Sequence, residues 1–510
     1  MQSVSDAKAR DLPRPSLPLA ILPIAATMGL ILFQIRYFGA DNFAPHIPLA
    51  LGIAITGLVG RAIGYRWRQM EAGLFHVVHI GLPSVAILMI VGMIIGTWIL
   101  SGTVPLLIHY GLTLITPQYF LLAAMLLTSV VSLAIGTSWG TVGTVGLALV
   151  GIGDGLGIPA ALTGGAIVSG AFFGDKMSPL SDTTNLAPAV TSTNLFSHIR
   201  NMAATAVPAM LAAGTVYWVL GWRYAGQGLH AERVETILRG LDTQFALSPW
   251  LLLPAVLVVV LAVRRYPALP TLFAGMLAGV ATAVIAQDAT LHQVLAAMQT
   301  GFDSTTGVAA VDDLLSKGGI QSMMWTISLV LIALAFGGIV EQTRCLEVIL
   351  HAVMGLVRGR LSLVTASTGG AVGTNLLTGD PYLAIALPGR MFAPAYRGRG
   401  LSTLNLSRSL EEGGTLINPL VPWSAGGAFT AGALGIPTLA YAPFAFACWL
   451  SPLIGLLYAG PGWFMPEADA AERERWQTDH EPVMVEGELV SAAELAPEEL
   501  ERAFDAYRGA

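Results

Sequence analysis

Between residues 17 and 458 the chain is a succession of apolar stretches, many of them as long as the ~17–25 residues a membrane-spanning helix needs. That pattern narrows the choice of fold sharply. In hydrocarbon every backbone N–H and C=O must be satisfied inside the element, which leaves helices for runs of this length. Charged residues make up only 11% of the chain, against about 25% in an average soluble domain. The 57 glycines fit the same reading, because small residues let membrane helices approach closely. The expected fold class is therefore an all-α polytopic membrane protein. Apolar segments run over 17–38, 46–63, 76–100, 119–136, 141–153, 158–173, 203–221, 247–263, 268–286, 320–340, 346–357, 361–378, 381–395, 421–434 and 436–458. Several are too short to cross alone, so about 11 to 13 crossings are expected. Segments 119–153 and 361–395 each read as a helix pair interrupted in the middle.

One polar island stands out. Gly174-Asp-Lys-Met-Ser-Pro-Leu-Ser-Asp-Thr-Thr-Asn185 lies between apolar runs and carries a proline that breaks the helix pattern. Irregular polar backbone is tolerated in a membrane only where protein or a water-filled cavity covers it. Ionisable groups at such depth point to function.

The net charge of −6 is unevenly placed. From Glu467 onward there are 13 acidic residues and only four arginines, so the remainder of the chain is slightly basic. Five regions follow: a cytoplasmic N-terminal segment 1–15, a first transmembrane half 16–222, a connector 223–246, a second transmembrane half 247–460 and an acidic soluble tail 465–510. The tail reads as solvated, helical in part or disordered. Lys8, Arg10 and Arg14 precede Leu17–Phe33, but no small-residue cleavage pattern follows, so this reads as the first membrane helix. Placing Arg61, Arg66, Arg68, Arg264-Arg265, Arg358, Arg360, Arg397 and Arg399 on the cytoplasmic side puts the N-terminus inside a cell membrane. Cys345 and Cys448 lack metal-ligand spacing and read as packing residues. No Walker loop, HExxH, nucleophile elbow or basic nucleic-acid patch occurs, which argues against an ATP-driven pump, a metalloprotease, a hydrolase or a nucleic-acid binder. No cofactor is expected.

The chain also repeats itself. Ala134-Ile-Gly-Thr-Ser138 matches Ala371-Val-Gly-Thr-Asn375, Gly174–Leu180 matches Gly414–Leu420, and Gly96–Leu112 aligns loosely with Gly337–Val353. The three matches come in order at nearly one offset. Flanking charges start the first copy inside and the second outside, which predicts inverted-topology repeats with broken or re-entrant segments. Secondary transporters are built this way, with their site at the repeat interface near the bilayer midplane.

Asp175 and Asp182 are the leading ion or proton ligands, with neutral oxygens from Ser178, Ser181 and Asn185. The competing readings are a local Asp175–Lys176 salt bridge and a helix cap at Asp182. In the second break, Glu412 is the candidate ionisable group and Asn418 matches Ser178. Glu411 or Glu412 could instead pair with Arg408 along one helix. Ser138, Asn375 and Asp380 lie where the other pair of helices should unwind. Lys176 and Arg408 are the cations that could anchor a substrate anion.

Ser169-Gly-Ala-Phe-Phe-Gly-Asp-Lys-Met-Ser-Pro-Leu-Ser-Asp-Thr-Thr-Asn-Leu-Ala187 resembles the signature segment of NhaC-type Na+/H+ antiporters, within the ion transporter superfamily. Gly96–Pro105 and Phe336–Glu341 resemble two further stretches of that family, and the similarity covers roughly residues 20–460. The resemblance implies a secondary active transporter, not an enzyme, that exchanges Na+ or Li+ for H+ across the cell membrane by alternating access. Its partners would be the lipid bilayer, Na+ and H+, with Na+ held at Asp175 and Asp182. Relatives of this type also include exchangers of organic acids such as malate against lactate, so a small organic anion is the alternative substrate. By analogy with such transporters a homodimer is expected.

Overall fold

The computed structural model describes residues 13–38, 44–225, 229–264, 266–307, 311–312, 315–485, 488–496, 498–499, 502 and 504. Lys8, Arg10, Arg265 and most of the N-terminal segment 1–15 lie outside the described residues.

Four helices open the chain: α1 (Leu17–Phe38), α2 (His46–Ala62), α3 (Trp67–Leu100) and α4 (Thr103–Leu114). Two broken elements follow. The first is α5 (Pro117–Ile135), continued after a break by α6 (Ser138–Thr141), a π-helical turn (Val142–Gly146) and α7 (Leu147–Gly155). The second is α8 (Ala160–Met177), continued by α9 (Asp182–Thr191). After α10 (Leu195–Gly221) the halves are joined through α11 (Leu229–Gln244), α12 (Leu253–Val263), α13 (Ala268–Ala286) and α14 (Leu291–Gln299). The plan then recurs as α15 (Gly319–Gln342), α16 (Cys345–Met354), α17 (Arg360–Thr378) broken from α18 (Pro381–Arg397), and α19 (Leu404–Gly414) broken from α20 (Ala425–Leu434). Two helices, α21 (Thr438–Tyr441) and α22 (Phe446–Ala459), complete the membrane part.

Among the described residues six helices are long and apolar enough to cross a membrane unaided, or up to eight if each of two bent pairs is one span. The expected 11 to 13 crossings exceed this because length alone does not credit the broken elements. The protein is thus an all-α polytopic membrane protein, as expected.

The breaks arise from local chemistry that is duplicated between the halves. Gly136 ends α5 and Gly379 ends α17, each in the left-handed region, at φ 77° and 66°. That conformation suits glycine and closes a helix C-terminus. Thr137 and Asp380 then start the next helix, their side chains accepting from the N–H of Gly140 and Leu383. Ser181 and Ser424 likewise cap α9 and α20, accepting from Thr184 N–H and Gly427 N–H. Each cap satisfies an amide that a helix start leaves orphaned. The turn into α4 is matched by the turn into α16: Gly102 and Arg344 are both left-handed, at φ 79° and 60°.

These paired caps correct the repeat alignment. Asp182 opens α9 as Ala425 opens α20, so its counterpart is Ala425. Ser138 corresponds to Pro381, the first residue after the break, while Asn375 sits inside α17, before the break. The second half carries extra residues in its break, and sequence matching on short motifs slides across such insertions.

The inversion follows from packing. Counterpart helices α3 and α15 run antiparallel: Gly73 faces Gln342, Gly81 faces Leu334 and Gly92 faces Gly319 and Met323. The two copies therefore point in opposite directions, as the charge pattern predicted. Glycine at these positions lets the backbones close in where any Cβ would collide.

The acidic tail is more ordered than its composition suggests. It forms α23 (Ala470–Thr478) and an antiparallel hairpin of β1 (Pro482–Val485) and β2 (Glu488–Ser491), with Trp476, Val483, Ala492 and Phe504 in a small core. It is docked onto the membrane part. Buried Arg397 pairs with Glu481 at 2.9 Å and donates to Pro482 O, and Glu472 accepts from the N–H and hydroxyl of Thr403. The folded tail contributes acceptors to polar groups at the ends of α18 and α19 that burial would otherwise orphan.

Candidate functional site

The breaks of the first half meet the second half around a cavity of about 590 Å3. Its polar lining includes Ser138, Asp175, Ser181, Asp182, Thr183, Asn185, Tyr382, Thr415 and Asn418. Among the described residues Asp175 and Asp182 are the charged side chains of that lining, and no Lys or Arg belongs to it.

Asp175 sits in the last turn of α8, where the start of α6 crosses it. Its Oδ2 accepts from both the N–H and the hydroxyl of Ser138, at 3.0 and 2.6 Å. Hydrogen bonds to an ionised acceptor are among the stronger ones. Helix α6 begins at Ser138, so its N-terminal dipole also faces the carboxylate. Lys176, the next residue, points elsewhere, so the local Asp175–Lys176 pair considered from the sequence is not formed. Asp182 is exposed to the cavity side at the start of α9, and Ser181, rather than Asp182, caps that helix. Asn185 donates to the carbonyls of Pro179 and Ser181 and so holds the turn between the aspartates.

The remaining sequence candidates are placed behind this lining. Ser178 is buried and donates to Leu133 O, tying the break to α5. Asn375 donates to Gly413 O and Gly414 O, the open carbonyls at the end of α19. Asn418 donates in turn to Asn375 Oδ1 and accepts from Gly426 N–H. These two amides stabilise the second break, and Asn418 also reaches the cavity. Asp380 is buried at the cap of α18.

Lys176 and Glu412 lie deeper still, 3.9 Å apart and buried at 0% and 1% exposure. The pairing joins α8 of one half to α19 of the other. Lys176 also donates to Ser451 of α22 at 3.3 Å. Arg408 donates to Asn201 Oδ1 and Phe464 O, and so to neither glutamate. Both candidate anchors for a substrate anion are thus engaged outside the cavity.

Tyr382, Trp139 and Thr415 of the lining were not singled out from the sequence. Tyr382 follows the Asp380-Pro381 break, and its position just after a predicted interruption was the available signal. Trp139 stacks on Phe429 of the other half, with centroids 4.6 Å apart and planes at 11°. That contact needs the fold, because nothing in either neighbourhood marks the pair.

The sequence model of the Na+/H+ antiporter family matches residues 170–463, which include the cavity's aspartates and both glutamates. The Na(+)/H(+) antiporter NhaC of Alkalihalophilus pseudofirmus is 41% identical over 81% of this chain and 89% of its own. The arginine/ornithine antiporter ArcD of Halobacterium salinarum is 40% identical over 91% of this chain and 96% of its own. The malate-2H(+)/Na(+)-lactate antiporter of Bacillus subtilis is 36% identical over 87% and 95%.

Proposed function

This chain belongs to the Na+/H+ antiporter family, and from that membership we propose that it exchanges Na+ for H+ across the cell membrane by alternating access, with Asp175 as the central ligand. The observation that carries the assignment of the site is the Asp175 carboxylate, held by two Ser138 donors beside a cavity whose charged lining, among the described residues, is acidic. A hard cation takes oxygen ligands, and Asp182, Ser181, Thr183 and Asn185 surround the same space. A carboxylate out of bulk water holds a proton tightly unless a cation stabilises its charged form. Na+ and H+ then displace each other at one group, and rocking of the two inverted halves carries the loaded site between faces. Protons entering would drive Na+ out.

This reading puts the N-terminus in the cytoplasm. Arg14 pairs with Glu347 and Arg399 donates to Val357 O, so basic groups from distant parts of the chain meet around the two ends of α16. That gathering fits the bias of Lys and Arg to the inner face.

A second reading has an organic substrate. The cavity volume falls in the range of ~300–1,000 Å3 typical of small-molecule sites, and two relatives named above are exchangers of organic molecules. With Lys176 and Arg408 engaged elsewhere, the acidic lining favours a cationic molecule over an organic acid.

The test is exchange in everted vesicles with Na+, Li+, K+, malate, lactate and arginine offered separately. Asp175→Asn is expected to abolish Na+-dependent dissipation of the pH gradient. Normal exchange in that variant would remove Asp175 from the site.

A further inference from the structure

Behind the cavity lies a second group of ionisable side chains with its own unsolved charge balance. Glu411 and Glu412 are consecutive on α19 and buried at 0% and 1% exposure. Among the described residues none of their four carboxylate oxygens has a hydrogen-bond partner. Among the described residues the ammonium in contact is that of Lys176, 3.9 Å from Glu412. Arg408 is nearby but spends its bonds on Asn201 and Phe464. Two carboxylates against one ammonium leave a negative charge without a counter-charge, in a place where an unpaired ion is very costly. One proton added to the cluster makes it neutral.

The cluster is also within reach of the cavity. Thr183 and Thr415 lie beside Glu411, and both belong to the cavity lining. The Thr415 hydroxyl is itself buried, with no hydrogen-bond partner among the described residues. On the far side, Glu412 packs against Gly455 of α22, where a larger residue would strike its carboxylate. The other titratable or charged groups facing the cluster are Asp175 from α8, Arg408 from α19, Tyr396 from α18, Cys448 from α22 and His198 from α10.

We propose that Glu411, Lys176 and Glu412 form a proton-holding site distinct from the cation cavity, loaded through the hydroxyls of Thr183 and Thr415. This rests on the exchange reading above and adds a second place where a proton is carried. In the loading step a hydroxyl oxygen accepts a proton from a hydronium ion in the cavity, which is left as water, and passes its own hydrogen to Glu411. The hydroxyl is regenerated and the cluster goes from one net negative charge to none. Deprotonation reverses the step. Because α8 and α19 belong to opposite halves, the charge on the cluster acts directly on the contact between them. Protonation would relax the Lys176–Glu412 attraction's competition with Glu411 and bias how the halves seat against each other.

The experiment uses the full chain reconstituted in liposomes, with 22Na+ binding, 22Na+ flux and internal pH recorded together. Glu411→Gln is expected to bind Na+ within a factor of about two of wild type, since the cation ligands are untouched, while its H+:Na+ ratio falls and its pH dependence flattens. An unchanged ratio and pH profile would overturn the proposal. If Glu411→Gln does not yield folded protein, Glu411→Asp keeps the charge but withdraws it from Thr415. Slower proton uptake with wild-type Na+ affinity supports the site, and wild-type uptake overturns it. Asp175→Asn is measured alongside. Retained Na+ binding in that variant defeats the cation-site reading, whereas loss of Na+ binding there with a wild-type ratio in Glu411→Gln defeats this inference alone.

Discussion

Replacing Lys176 with Met removes the ammonium from the buried cluster and nearly keeps the length of the side chain. The structure sets the size of the effect. At 3.9 Å and an effective dielectric constant of about 20, the Lys176–Glu412 attraction is worth about 4 kcal/mol. Removing one partner of a buried pair costs about 3–5 kcal/mol, because the remaining charge stays out of water uncompensated. Lys176→Met is therefore expected to lower the thermal unfolding midpoint of the detergent-solubilised protein clearly. Replacing the pair together, as Lys176→Met with Glu412→Leu, removes both partners and leaves Glu411, which a single proton neutralises. Apolar replacement of a buried pair is often neutral or stabilising, so the double variant is expected to regain most of the loss. The cycle is completed by Glu412→Leu alone, which leaves Lys176 with only Glu411 and Ser451. A Lys176→Met midpoint equal to wild type, or a double variant no more stable than the worse single one, would refute the reasoning. Either result would mean that the two groups are not coupled through a desolvated ion pair.

Two further outcomes can be checked directly. The loop before α15 is gathered by Asp312, whose carboxylate accepts from the N–H and hydroxyl of Thr306, the hydroxyl of Ser304 and the N–H of Gly307. The Thr306 hydroxyl first of all, with the other donors, holds Asp312 below the usual carboxylate range. A lowered value means that the hold is fully present above pH ~4 and is lost as pH falls through the depressed value. Protection of the Thr306 and Gly307 amides, relative to their intrinsic exchange rates, should therefore fall on acidification beyond that point, and protection that stays unchanged would contradict it. Deleting residues 466–510 strips Arg397 and Thr403 of their tail partners. Lower thermal stability and slower exchange are expected, and a truncated protein unchanged in both would show the tail to be a passenger.

Much of the site was written locally. Broken elements announce themselves as glycine, a capping Thr, Ser or Asp, and small polar residues between apolar runs, because helix ends must satisfy their own amides wherever they occur. The run Gly174–Asn185 was legible for that reason, and Asp175, Ser181, Asp182 and Asn185 do meet at the cavity with Ser138. Pairing was not legible. Asp175 and Lys176 are adjacent in sequence, and neighbours on a helix point in different directions. Asp175 turns to Ser138, and Lys176 turns to Glu412 across the repeat interface. Glu411 and Arg408 likewise read as a self-neutralising helical pair until the fold separates them.

The sequence by itself determined the helical membrane class, the duplication and its inversion, since apolar length, caps and charge bias act through near neighbours and the bilayer. Tertiary structure alone decided the register of the second break, the docking of the acidic tail, the Trp139–Phe429 stack and the partner of each buried charge. Those depend on contacts between residues far apart in the chain, where a burial cost at one position is met by a group contributed from the opposite half.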